Sequence, residues 1–320
     1  MRKEIPPHRF SRRLIPPSEP GEHKFLENAL DHPFEARPKQ NAGHSSVNAW
    51  WLAELSLLAY NEPAVVESEL QKAGLRLMKP LLNGASTQGF VAEGKDFVIV
   101  SFRGTEFPLP RKDQDPEAAL MALFSAVTDV VVDLRFGLVP APGPARGRVH
   151  GGFLHALNEV FHQLSELKLP GPGRALWLTG HSLGGALAIL AAARLPNVQG
   201  VYTYGAPSVG DAGFQASFQG HARLFRFVHG KDFVTRLLVA APLVPPEFPF
   251  NFIEEFKPEG IIVAFNREGQ LGAGAPSNLD FSLSNLGSLL LDRLPANDLL
   301  DHAPLFYALH LWNLFDATQH

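Results

Sequence analysis

The sequence predicts an α/β domain with a mostly parallel central sheet and helices on both faces, and three observations carry that prediction. Short β-type runs alternate with helical stretches between Phe97 and Val228. The run Thr179-Gly180-His181-Ser182-Leu183-Gly184-Gly185 joins the apolar stretch Ala175-Leu176-Trp177-Leu178 to Ala186 through Ala193, which reads as strand, tight turn and helix. With 320 residues, 45% of them hydrophobic, the chain suffices for one large core. Residues 1–43 read as an N-terminal surface arm and residues 44–320 as a single domain.

Composition excludes several classes of function. A net charge of −4 and a pI near 6.4 provide no basic field for nucleic acid. Cysteine is absent, so neither disulfides nor thiolate metal sites are available. The first twenty residues carry Arg2, Lys3, Arg9, Arg12 and Arg13 but are broken by Pro6, Pro7, Pro16, Pro17 and Pro20, which is not the pattern of a Sec-type leader. No uncharged apolar run reaches the roughly 18 residues of a membrane span. The expectation is a soluble protein, cytoplasmic by default or exported without a signal, that at most touches a membrane or lipid droplet.

The elements follow in order. The arm is rich in Pro, His and charge and lacks periodicity, so it reads as a solvated tail. From Ser46, Val47, Trp51, Leu55 and Leu58 follow helical spacing, with Ser45 or Ser46 as cap. Leu75–Leu81, Thr87–Ala92 and Asp96–Phe102 are strands separated by turn signals at Asn83-Gly84 and Glu93-Gly94-Lys95. The third is apolar on both faces, as a central strand is. Asp115-Pro116 opens a helix within 106–136 that is apolar nearly all round: either core, or a lid, the reading its position after Arg103-Gly104-Thr105 favours. A helix over about 154–167, strands at Val201–Gly205 and Leu224–Val228 with a helix near 212–218 between them, a late strand at Ile261–Asn266 and a terminal helix over Leu305–Phe315 complete the pattern.

Gly180 and Gly184 bracket Ser182 as G-x-S-x-G, a turn that exposes a hydroxyl at its tip and places a helix N-terminus behind it. A serine needs an imidazole to take its proton and an acid to orient that imidazole. His302, His310 and His320 lie late enough to follow an acid. His310 sits within the terminal helix and His320 at the end, which leaves His302, after Asp301 at a loop-to-helix junction. Of the two acids that follow strands, Asp232 lies directly beyond one, whereas Asp211 lies farther on and suits a helix cap. His150 and His155 have no third partner at zinc spacing, and no cofactor motif occurs. His181 reads as a packed residue of the turn.

These blocks resemble the fungal-type triacylglycerol lipases, the class 3 lipases of the α/β-hydrolase fold. The resemblance runs from about Val98 to Tyr307 and rests on Ser101-Phe102-Arg103-Gly104-Thr105, Asp133-Leu134-Arg135-Phe136, Val149-His150-Gly151-Gly152-Phe153, Thr179–Gly185, Tyr202–Asp211, Val228–Val234 and Asp301-His302. It implies Ser182 as nucleophile, Asp232 as triad acid, His302 as base, Thr105 and the backbone N–H of Leu183 as oxyanion donors, and a lid between Thr105 and Phe136. It also implies hydrolysis of acyl esters at a lipid interface, without metal or cofactor. The departures are a long lid segment without tryptophan, an aromatic that follows the base late, as Tyr307, and the absence of cysteine. Phospholipase A1 or feruloyl esterase activity would use the same triad. A non-catalytic lipid-binding descendant is the reading from another class, and the intact Ser, Asp, His order argues against it.

Overall fold

The computed structural model describes residues 1–9, 23–39, 43–104, 137–218, 223–236, 256–257, 259–272 and 300–320. Thr105, the segment 106–136 read as a lid, the stretch 278–294, and parts of the arm and of the stretch 241–260 lie outside them.

In chain order the described residues begin with α1 (Ser46–Leu58) and α2 (Pro63–Lys72), followed by β1 (Arg76–Asn83), β2 (Gln88–Glu93) and β3 (Phe97–Phe102). After β4 (Leu138–Pro140) and β5 (Arg148–His150) come α3 (Gly151–Glu166), β6 (Ala175–His181), α4 (Leu183–Ala192) and β7 (Val198–Tyr204). The rest is β8 (Gly210–Asp211), α5 (Ala212–Phe218), β9 (Arg223–His229), β10 (Phe256–Lys257), β11 (Ile261–Phe265) and α6 (Pro304–Ala317).

Among the described residues the main sheet has seven strands in the order β1-β2-β3-β6-β7-β9-β11, and a small sheet runs β10-β8-β5-β4. β1, β2 and β3 form an antiparallel meander, and from β3 to β11 every pairing is parallel. Register aligns the strand ends: Phe102 pairs with Gly180, His181 with Tyr204, and Tyr204 with Phe227. The loops leaving β3, β6, β7 and β9 therefore emerge along one edge, where open α/β sheets bind ligands.

Strand β3, Phe-Val-Ile-Val-Ser-Phe, is buried at every position, because helices cover both faces of the sheet. On one face Val98, Val100, Leu176, Leu178 and Val201 pack with Leu157 and Val160 of α3 and with Leu187, Leu190 and Ala191 of α4. On the other, Ile99, Trp177, Tyr202, Tyr204 and Phe227 pack with Trp50 and Leu57 of α1 and Trp312 of α6. Each fully buried aliphatic or Phe side chain contributes roughly 1.5–3 kcal/mol.

Helix α1 begins where Ser45 accepts a hydrogen bond from Asn48 N at 3.2 Å. Helix α3 starts earlier than the spacing predicts, at Gly151, because His150 Nδ1 accepts from Phe153 N at 3.3 Å, a cap by an unusual residue type. The described part of the arm differs from a solvated tail. Phe25, Leu26, Ala29 and Phe34 are buried against α1 and the sheet. Trp51 Nε1 donates to His32 O at 2.8 Å, Trp177 Nε1 to Ala36 O at 3.1 Å, and Asn48 exchanges two hydrogen bonds with the backbone of Glu35 at 2.9 Å each. Its apolar residues follow the holes in the helical layer, so they carry no period of their own. Among the described residues, no helix is long and apolar enough to cross a membrane.

Candidate active site

The β6–α4 turn forces Ser182 to φ 55° and ψ −128°, a conformation that L-residues avoid unless the surroundings impose it. Close packing imposes it here. A Cβ on Gly180 would collide with the backbone of Gly184, and one on Gly184 with the carbonyl of Phe102. The glycines thus let the helix descend onto the strand ends. Leu183 opens α4, so its N–H points out of the helix start with no intrahelical acceptor.

Ser182, Asp232 and His302 come from three separate loops and meet. His302 Nε2 lies 3.0 Å from Ser182 Oγ, and His302 Nδ1 lies 3.0 and 2.9 Å from the two oxygens of Asp232. This pattern fits a neutral imidazole whose Nδ1–H donates to the carboxylate while Nε2 accepts from the serine. Asp232 is further held by Val234 N at 2.9 Å on Oδ1 and by the Tyr307 hydroxyl at 2.6 Å on Oδ2. Tyr307 in turn accepts from His229 N at 3.1 Å. Burial and the neighbouring Asp232 push the phenol well above its ordinary range, so it stays a donor. Ser182 and Asp232 are fully buried and His302 nearly so.

Other predicted residues fall where local chemistry puts them. Asp211 Oδ1 accepts from Phe214 N at 2.9 Å, as a cap of α5. His181 packs behind the turn: the Tyr60 hydroxyl donates to its Nδ1 at 2.9 Å, and its Nε2–H donates to His302 O at 2.8 Å. Burial, with His302 beside it, holds that imidazole well below its ordinary range and therefore neutral. His310 is buried in α6, and Thr105 lies outside the described residues.

The structure adds residues that no local pattern marked. Arg226 on β9 donates to Glu259 Oε2 at 2.8 Å and to Ala206 O at 2.7 Å, while Glu259 Oε1 accepts from Val209 N and Gly210 N at 3.0 and 2.8 Å. Burial pulls both groups towards neutrality, and their mutual attraction opposes it. The pair fixes the segment after β7, whose Gly205, at φ 60°, packs so closely that a Cβ would press on Asp232 and His302. Among the described residues, no group of three or more His, Asp or Glu side chains is arranged to hold a metal.

Residues 122–241 match the family model of the class 3 lipases. The secreted mono- and diacylglycerol lipase 1 of Fusarium solani is 33% identical over 181 residues, spanning 50% of this chain and 52% of that protein. A lipase of Rhizopus niveus is 33% identical over 184 residues, spanning 53% of this chain and 40% of that protein. The chain thus spans about half the length of the curated relatives it matches, or less. Among solved structures, the triacylglyceride lipase of Rhizomucor miehei superposes with a TM-score of 0.52 at 22% identity, over 80% of this chain and 94% of that one. That likeness shows the fold, an α/β-hydrolase.

Proposed function

We propose that this chain, whose residues 122–241 match the class 3 lipase model, is a member of that family and a serine carboxylester hydrolase cleaving acyl esters of lipids, with triacylglycerol as the leading substrate. The observation that carries this reading is the unbroken run of hydrogen bonds from Ser182 Oγ through the His302 ring to Asp232, at 3.0 and 2.9 Å.

In this reading Ser182 Oγ attacks the ester carbonyl as its proton passes to His302 Nε2. Asp232 stabilises the resulting imidazolium and holds the ring's orientation. Val234 N–H and Tyr307 O–H occupy the remaining lone pairs of Asp232 and keep the carboxylate from swinging. The tetrahedral oxyanion takes the Leu183 N–H, with Thr105 as the second donor. His302 then protonates the departing alcohol, and water cleaves the acyl-enzyme by the same steps in reverse. Because Ser182 is buried, an ester reaches it only after an opening motion, and residues 106–136 are the proposed cover.

Ser182→Ala is expected to lower turnover of p-nitrophenyl butyrate by roughly 10³–10⁶-fold and to abolish labelling by a fluorophosphonate. Turnover close to that of the unaltered protein would sink the proposal. Emulsified triolein, diolein, phosphatidylcholine and methyl ferulate, run beside the soluble ester, separate the lipase reading from phospholipase and feruloyl esterase readings. The relative in Fusarium solani, a mono- and diacylglycerol lipase, makes the ratio of triolein to diolein rates the informative one.

A further inference from the structure

The short loop that presents His302 is held from several directions. Both carbonyls beside the base are bound by buried imidazoles: His181 Nε2–H donates to His302 O at 2.8 Å, and His229 Nδ1–H to Asp301 O at 3.0 Å. The Asp301 carboxylate, which is fully buried, collects the rest. It accepts from Arg267 Nε and Nη2 at 2.8 and 2.7 Å, from Lys231 N at 2.7 Å, and from His8 Nε2 at 2.6 Å. Burial alone would push this carboxyl up, but the hydrogen bonds from His8 and Arg267, with smaller contributions from His229 and Lys231, bring it down to about 2.

Two of these donors matter for placement. Lys231 directly precedes Asp232, so Asp301 ties the turn carrying the acid to the loop carrying the base. His8 comes from the opposite end of the sequence, and its ring stacks on Phe306 of α6 at 4.9 Å. The residues before it run along the same helix. Asn313 accepts from Lys3 N at 2.7 Å and donates to Lys3 O at 3.0 Å, and Trp312 Nε1 donates to Met1 O at 2.9 Å. The Lys3 ammonium sits 4.7 Å from the centre of the Trp312 ring.

We propose that the N-terminal arm is a working part of the active site, with His8 a positioning residue that acts through Asp301 to set His302 against Ser182 and Asp232. The inference rests on the triad reading above. Its physical basis is that a buried carboxylate stripped of one donor turns to satisfy the vacated lone pair. Asp301 directly precedes His302 and its carboxylate also holds Lys231 N, so a shift of that carboxylate strains both the loop that presents the base and the turn that presents Asp232. A displacement of about 1 Å at a reacting group costs on the order of 10²-fold in rate, so a partial displacement is expected to cost roughly tenfold.

The experiment compares the full chain with His8→Ala and His8→Gln, the latter restoring an N–H near the position of Nε2. It measures kcat and KM on p-nitrophenyl butyrate, the rate of fluorophosphonate labelling, and Tm. The expected result is a roughly tenfold fall in kcat and in labelling rate for His8→Ala, with KM unchanged and most of the loss recovered in His8→Gln. Unchanged kcat in His8→Ala overturns the inference while leaving the triad reading intact. So does an equal loss in both variants that tracks a fall in Tm, which is what a purely structural contact would give. Absence of labelling in the unaltered protein overturns both readings.

Discussion

The face of the main sheet covered by α3 and α4 is mostly aliphatic, with Val98, Val100, Leu176, Leu178 and Val201 meeting Leu157, Val160, Leu187 and Leu190. The face covered by α1 and α6 is aromatic and polar. There Ser101 Oγ donates to Leu55 O, Thr179 Oγ1 to Leu52 O and Tyr202 O, and the Tyr204 hydroxyl to Ala49 O. The same layer buries His181, His229 and His310, and it holds Glu54 against His23 Nε2 at 2.9 Å. The difference follows from what each face positions. α4 has to approach the strand ends closely, which small and aliphatic residues allow. The opposite layer orients the loops carrying Asp232 and His302, and orientation requires directional bonds, which aliphatic contacts do not provide.

Three measurements test this contrast between the faces. The largest effect is expected from Leu187→Ala on the aliphatic face, a cavity costing about 2–5 kcal/mol in denaturant unfolding, with the same loss at pH 5 and pH 8. A strongly pH-dependent loss would show that this face is coupled to titrating groups after all. An effect confined to acid is expected on the polar face. Burial, aided by His229 and His8, brings the His310 imidazole down to about 3, and burial also lowers His229. Unfolding frees each to take up a proton, so stability is fully present above the ordinary pKa near 6.5 and is lost as pH falls from there towards 3. His310→Phe should flatten that slope; an unaltered slope would exonerate His310. The contribution of Asp301, whose carboxyl is held at about 2, is lost as pH falls below its ordinary value near 4, so the slope between about pH 6.5 and 4 reports the histidines. The smallest effect is expected from Thr179→Val, about 0.5–1.5 kcal/mol for the hydrogen bonds that tie β6 to α1. A cost above that range would mean that the row of polar anchors acts as a cooperative network.

Much of the site was legible because its signals are local. Gly180 and Gly184 bracket Ser182 within one turn, Asp232 and His302 each sit just outside a strand or helix, and the chain orders them as a hydrolase does. The cap role of Asp211 followed from its place before α5. What stayed hidden has no short-range pattern. His150 caps α3 although histidine is an uncommon cap, and Glu259 lies in a stretch with no periodicity. The arm reads as polar and irregular because its buried residues answer to holes in another layer. Tyr307 stood out in the sequence only as an aromatic arriving late after the base; its hydroxyl reaches Asp232 because α6 starts at Pro304 and carries it one turn inward.

The alternation of strands and helices, the sharp turn at Ser182 and the candidate residues Ser182, Asp232 and His302 could be read from the chain alone, since hydrophobic period, glycine placement and motif spacing act over a few residues. The groups that hold those three in place emerge only from the folded chain: Tyr307 and Val234 on Asp232, His181 behind His302, and His8, Arg267 and Lys231 on Asp301. Such contacts join segments far apart in the chain. Their partners are selected by the unmet hydrogen-bonding demand of buried polar groups, a demand that exists only once the fold has excluded water.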